Sequence, residues 1–377
     1  MPSLRKLFLA AAAASIFAAP SFAAQVELWG IVDTSIDVAN NGDKTVTKLS
    51  SGNREASRFG FRGTEKLADA VEVFFRLEAT TFVDNGQMSA ETNRLFDREA
   101  ALGIRSDKYG TLTFGRLYSP HFITMAASDP ADMSIGSAGG YFGSPANEAT
   151  INGRGADEVT RGNNAIEYVT PDFHGFSMKF YTALGEKTKP EGYGSNSPTR
   201  GNMYSIGMNY RGERLTVNAS WLRQNTENSA FNDWDDYYAL GILYDFGITK
   251  PALLIVHRKG SDTAEANLNG NGETGNGSPD LWMVQLGATT PLYGGNLLTQ
   301  VAGLKNETRE DADAWSWSIR YDYPLSKTFT LYGGVTGLIN DTNSRYNIGG
   351  GGSASPGLEV DWGNNTWMAY TGMTLHF

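Results

Sequence analysis

The chain has 377 residues, with 31 Lys and Arg against 41 Asp and Glu, a formal charge of -10 and no cysteine. The acidic balance argues against nucleic-acid binding, and the missing cysteines exclude a disulfide framework. An apolar content of 40 % with a mean hydropathy of -0.34 excludes a bundle of membrane-spanning helices. Forty-four glycines, 17 Tyr, 19 Phe and 8 Trp lean toward β structure, while 4 His leave little material for metal or acid–base chemistry.

At the N-terminus, Arg5 and Lys6 precede an apolar stretch from Leu7 to Ala19 and a small-x-small site at Ser21-Phe22-Ala23. This pattern predicts a secretory signal peptide over 1–23, because the apolar run is too short to span a bilayer. The rest, 24–377, reads as one domain. Its dominant period is two. Val26, Leu28, Val32, Ile36 and Val38 alternate with Glu27, Asp33, Ser35 and Asp37, and Trp315, Trp317, Ile319, Tyr321 and Tyr323 alternate with Ser316, Ser318, Arg320 and Asp322. Such alternation predicts strands. Taken in order, they are 26–38, 57–66, 70–82, 93–106, 110–118, 163–171, 175–184, 202–211, 213–224, 236–247, 250–259, 281–292, 295–306, 313–323, 327–338 and 365–377, sixteen in all.

The connections alternate in length. Tight turns fall at 66–70, 107–110, 172–175, 211–213, 247–250, 291–295 and 324–327, and between them lie long polar segments such as 39–56, 185–201, 260–280 and 341–364. The glycine- and asparagine-rich runs 269–277 and 349–352 are low-complexity loop material. Short turns on one rim and long loops on the other are the rhythm of an up-and-down transmembrane antiparallel β-barrel, all-β with 16 strands. Charge placement then orients the wall. An Arg on the lipid face near the midplane costs roughly 2–4 kcal/mol, so Arg320 and Asp322 should face a wet interior and the Trp and Tyr residues should face out. Closure leaves no unpaired edge, as lipid requires.

Five stretches carry a family resemblance: VELWGIVDTSIDV near the N-terminus, SRFGFRGTEKLADAVEVFFRLE, FDREAALGIRSDKYGTLTFGRLYSP, RGNNAIEYVTPDFHGFSMKFY and the closing MAYTGMTLHF. With them the chain resembles the general diffusion porins of the Gram-negative outer membrane, trimeric sixteen-stranded barrels. The resemblance implies a passive water-filled channel for small hydrophilic solutes and ions, an outer-membrane location, assembly as a homotrimer among lipid, and no cofactor or metal. It also implies that the third long loop, 119–162, folds into the lumen as a constriction. Asp129 and Asp132 in SDPADMS match the family's acidic loop tip, and Arg58, Arg98 and Arg161 match its basic wall. Phe377 matches the closing phenylalanine read by the outer-membrane assembly machinery.

For Arg58 the strand parity agrees independently, since Phe59 and Phe61 take the opposite face and Gly60 and Arg62 its own. Arg98 fits less simply. If it points inward along 93–106, so do Ala100, Leu102 and Ile104, leaving Glu99 and Arg105 outside, unless a subunit interface or a bulge intervenes. Ile31 stands where the family has a basic residue. Further lumen candidates by parity are Asp33, Asp37, Arg62, Arg76, Lys179 and Arg320. The competing readings are an outer-membrane adhesin or receptor acting through its surface loops and, more distantly, a barrel hydrolase, for which no His/Asp/Ser spacing speaks. The sign of ion selectivity does not follow from net charge.

Overall fold

The computed structural model describes residues 25–88, 94–138, 157–185, 201–225, 234–259, 280–308, 310–348 and 360–377. The expected leader 1–23, residues 139–156 of the third long loop and the runs 269–277 and 349–352 lie outside the described residues. The strands are β1 (Gln25–Asn40), β2 (Thr45–Ser51), β3 (Arg58–Ala68), β4 (Val71–Thr80), β5 (Glu99–Ser106), β6 (Gly110–Tyr118), β7 (Arg161–Val169), β8 (Phe176–Ala183) and β9 (Met203–Arg211). Then follow β10 (Leu215–Asn225), β11 (Trp234–Tyr244), β12 (Lys250–Lys259), β13 (Leu281–Leu292), β14 (Gly295–Asn306), β15 (Ala314–Pro324), β16 (Phe329–Asn340) and β17 (Thr366–His376). Each strand from β3 onward pairs antiparallel with the next in the chain, and β1 pairs with β17, so the sheet closes on itself.

Sixteen strands form the wall, because β2 and β3 share one place in it. β2 pairs with the upper half of β1, Thr34–Asn40, and β3 with the lower half, Gln25–Ile31. Residues 52–57 leave the wall between them. The expectation of a plain polar loop over 39–56 is therefore corrected: 45–51 is a strand. Its sequence, TVTKLSS, has only two large apolar residues and no clean alternation, so the ladder to β1 and the burial of Ser50 and Ser51 hold it rather than a lipid-facing stripe.

Parity sorts the faces as lipid demands. Along β15, Trp315, Trp317 and Ile319 are exposed on the outside while Ser316, Ser318, Arg320 and Asp322 are covered. The closing seam ends on Phe377, whose N–H and C=O each bond Gly30 at 3.0 Å, and whose ring sits where a Gly30 side chain would stand. At the short-turn rim, Tyr293 and Gly294 both take positive φ, 47° and 83°, the two-residue turn whose twist suits a hairpin. Among the described residues two short helices interrupt the β pattern, α1 (Pro120–Ser128) and α2 (Asp157–Thr160). Met125, Met133 and Ile135 of the third loop join Leu254, Met283, Leu304 and Tyr370 of the inward wall in a core, which lies inside the barrel.

Candidate pore constriction

The third loop begins with a helix that the local sequence specifies. Ser119 caps α1 by accepting from Phe122 N at 3.1 Å, and Pro120 occupies the first turn, where its missing N–H costs nothing. The returning end, α2, is tied back to the same residue: Ser119 N donates to Thr160 O at 2.9 Å and its hydroxyl to Val159 O at 2.5 Å. Close approach of α1 and the next residues to the far wall is possible because that wall carries glycine. A Cβ on Gly207, Gly241 or Gly287 would meet Pro120, Ser128 or Pro130 within 3 Å.

Beyond α1 the loop is fixed by Asp129. Its carboxylate accepts from Ala131 N at 3.0 Å, Met133 N at 2.9 Å, the Ser137 hydroxyl, Gln285 Nε2 at 3.1 Å and Gln300 Nε2 at 2.5 Å. Gln285 lies on β13 and Gln300 on β14, so one buried carboxylate joins the loop tip to the inward face of two wall strands. Asp132 does the opposite. It and Met133 both adopt positive φ, 52° and 56°, a conformation an Asp tolerates and that turns its carboxyl toward open space while Met133 is held in the core. Asp132 is exposed, within electrostatic reach of Arg58. Enclosing protein and the Asp129 charge push its carboxyl up to about 6.

Arg58, Arg98 and Arg161 come together although they are far apart in sequence. Arg58 Nη1 lies 3.4 Å from Glu78 Oε1 and its Nε donates to Ala56 O at 2.8 Å. Arg98 Nε donates to the same Glu78 oxygen, and its Nη2 to the Tyr118 hydroxyl at 2.8 Å. Arg161 donates to that hydroxyl at 2.9 Å, with its guanidinium 4.3 Å above the Tyr118 ring. Three guanidiniums thus gather on one carboxylate and one phenol. The parity difficulty at Arg98 vanishes because β5 starts at Glu99: Leu102 and Ile104 face out, Glu99 and Arg105 face in, and Arg98 sits before the strand, free of its alternation.

The other parity candidates divide. Arg62, Arg76 and Lys179 face the interior and pair with Glu27 at 2.8 Å, Glu99 at 2.7 Å and Glu167 at 4.0 Å. Asp33, Asp37 and Arg320 also point inward but are covered, which corrects their reading as water-lining groups. Asp33 accepts from Tyr332 at 2.8 Å and Thr374 at 2.6 Å, and Asp37 from Ser35 at 2.7 Å and Asn53 at 2.8 Å. Arg320 binds Asp322 at 2.9 Å and the Ser134 hydroxyl of the loop at 2.5 Å. The segment 52–57 and the loop tip meet over these groups, with Ile135 N donating to Asn53 O at 2.9 Å and Arg54 Nε to Asp322 at 3.0 Å. Among the described residues no group of three or more His, Asp or Glu could hold a metal ion.

A family model described as Gram-negative porin matches residues 10–343. The chain belongs to the Gram-negative porin family. Outer membrane porin protein 32 of Delftia acidovorans is 28 % identical over 368 residues, covering 95 % of this chain and 96 % of that protein. An outer membrane porin protein of Bordetella pertussis is 30 % identical over 275 residues, covering 66 % of this chain and 68 % of its own length. Among solved structures, the anion-selective porin from Comamonas acidovorans matches with a TM-score of 0.76 at 24 % identity, over 94 % of this chain and 100 % of that one. OmpT of Vibrio cholerae in its trimer form matches with a TM-score of 0.63 at 13 % identity, over 94 % of this chain and 100 % of that one. These structural likenesses establish the fold. As a porin the chain is an outer-membrane barrel and a passive channel, of a family of channels rather than enzymes.

Sequence reasoning missed Glu78 and Tyr118, around which the porin's three arginines gather, and the segment 52–57. Glu78 carried a usable signal: it shares the inward parity of Arg76 on β4, opposite Gly60, two residues from Arg58 on the paired strand. Gln285 and Gln300 carried none, since an inward glutamine on a wet wall is ordinary.

Proposed function

We propose that this porin filters solutes by size and charge where the third loop approaches the β1–β7 wall, and that it favours anions. The observation that carries the reading is the convergence of Arg58, Arg98 and Arg161 on one carboxylate, Glu78, and one phenol, Tyr118, with Asp132 as the exposed acid near Arg58. Opposed charges of this kind set a transverse field in a narrow, low-dielectric-walled passage, and a net surplus of guanidinium raises the local anion concentration. The solved porin of similar fold described as anion-selective is in keeping with that sign. Asp129, with five donors on its carboxylate, contributes position rather than open charge.

The working form in this reading is a homotrimer, in line with the trimer form of a structural neighbour. Residues 1–23 are removed on export, and Phe377 is the residue the assembly machinery reads. Planar-bilayer recording of the purified protein tests the proposal. Conductance should appear in steps of three, and a tenfold KCl gradient should give a reversal potential on the anion side. A reversal potential on the cation side would overturn the charge assignment.

A further inference from the structure

Below the constriction, toward the short-turn rim, the same wall carries a second arrangement of arginines that the filter does not use. Arg62 on β3 and Arg76 on β4 are directly opposed across the strand pair, and both face the lumen. Like charges in such a position are destabilising, so their placement asks for a reason. Each is drawn aside by its own carboxylate, Arg62 to Glu27 and Arg76 to Glu99, while Arg105 on β5 binds Glu72 at 2.6 Å. The three guanidiniums stay open to the lumen, with side chains 52 %, 49 % and 46 % exposed; Glu99 and Glu72 lie behind Arg76 and Arg105 at 11 % and 28 %, whereas Glu27, at 58 %, is as open as Arg62. Around Arg76 and Arg105 what a solute meets is cationic, although the formal charges balance.

Two aromatic rings hold these guanidiniums in place. Phe74 lies flat on the wall over Gly103, where any Cβ would strike the ring, and carries Arg76 and Arg105 at 5.5 Å and 5.4 Å from its centroid. Trp29 lies likewise over Gly60, 5.7 Å from Arg62. A ring beneath a guanidinium steadies its head; Arg62 turns its Nε and Nη2 to Glu27 at 2.8 and 2.9 Å, Arg105 its Nε and Nη2 to Glu72 at 2.7 and 2.6 Å, and Arg76 its Nη2 to Glu99 at 2.7 Å, so an oxyanion would be met by the remaining exposed part of each guanidinium. Four residues of β3 separate Arg62 from Arg58, roughly 13 Å along the strand at about 3.3 Å per residue.

We propose that Arg76 and Arg105, on their shared Phe74 platform, form a second binding station for small oxyanions, phosphate or carboxylate, distinct from the constriction. It rests on the channel reading above but not on the sign of selectivity. Solutes leaving the filter would be held there before reaching the rim, and multiple weak stations are what let a pore concentrate a solute without trapping it.

The test is inhibition of the chloride current through single channels by inorganic phosphate or by benzoate, added to both sides. Both should reduce the wild-type current in a saturable way. The half-inhibiting concentration should rise at least five-fold in Arg76→Gln/Arg105→Gln, and also in Arg105→Gln alone, a milder change at a half-exposed residue that covers failure of the double variant to fold. Inhibition should persist in Arg58→Gln. Loss of inhibition in Arg58→Gln with retention in the Arg76/Arg105 variants would assign the anion site to the constriction, and equal loss in both sets would mean that no separate station exists. Either result overturns the proposal, as does a wild-type current that neither anion inhibits. The reversal potential in KCl alone reports on the constriction, so failure of one reading is distinguishable from failure of the other.

Discussion

Replacing Asp129 with Ala should free the loop tip while leaving the barrel intact. The carboxylate serves five donors: two main-chain N–H groups, one hydroxyl and two glutamine amides. Hydrogen bonds to a charged acceptor are worth roughly 1.5–3 kcal/mol each, and buried donors left unpaired cost a similar amount. Because the lumen is wet, water recovers part of this, and the net loss is about 5 kcal/mol. It falls on one element, since no wall strand pairs through Asp129. Two further ties, Ile135 N to Asn53 O and Arg320 to Ser134, act on the segment after Asp129. The expected result is a higher mean conductance, larger open-channel noise and faster hydrogen exchange at Ala131 and Met133, with thermal unfolding of the barrel within a few degrees of wild type. Asp129→Asn, which keeps the shape and some acceptor capacity, should show the same changes in weaker form. Conductance, noise and exchange all equal to wild type would refute the anchoring role, and a large fall in barrel stability would refute the claim that the anchor is local.

Arg58→Gln should shift the reversal potential toward the cation side by on the order of 10 mV, against roughly 59 mV for perfect selectivity across a tenfold gradient; no shift would mean that Arg58 does not line the narrow zone. Gly241→Leu should push Ser128 and the end of α1 off the wall at a cost of about 1–3 kcal/mol and alter single-channel conductance, whereas unchanged conductance would show that α1 does not border the pore. With the Asp132 carboxyl pushed up to about 6, lowering pH from about 7.5 to about 5 protonates it, removes an acid from the filter and should strengthen anion preference. Asp132→Asn should abolish that pH dependence, and a dependence that survives the substitution belongs to another group. Phe377→Ala should lower outer-membrane yield in cells while protein refolded in detergent keeps nearly wild-type stability, because the ring is exposed and the seam bonds are main-chain; equal yield would remove the assembly role.

The wall was legible in the sequence and the interior was not, for a physical reason. Lipid imposes a fixed period on every strand, so Trp315, Trp317 and Ile319 announce the face of β15 without knowledge of any neighbour. That is why each expected strand overlaps one observed strand, and why β2, which owes its place to the ladder with β1 and to buried serines, carries no such signal. Inside the barrel the decisive partners lie far away in sequence. Nothing in SDPADMS shows that Asp129 will meet Gln285 and Gln300, 156 and 171 residues later, and nothing before Arg98 shows that the strand starts one residue after it. The helix start at Ser119-Pro120 is the exception, since a hydroxyl cap followed by proline is local chemistry.

Parity therefore assigns a side chain to the lumen side of the wall, but it does not say whether the side chain meets water there. Asp33, Asp37, Arg320 and Asp322 all face inward, and with Asp129 of the loop itself they lie under the loop or the 52–57 segment, where hydrogen bonds neutralise their effect on a passing ion. Arg62, Arg76 and Arg105 face inward on the uncovered side and remain about half exposed. The loop sorts the inward charges into those that hold it and those that meet solute. Acids predominate in the first group by this route, and guanidiniums in the second. A chain with a formal charge of -10 can then present a cationic wall, because selectivity follows the charges left open after the loop has docked, not the charges the sequence contains.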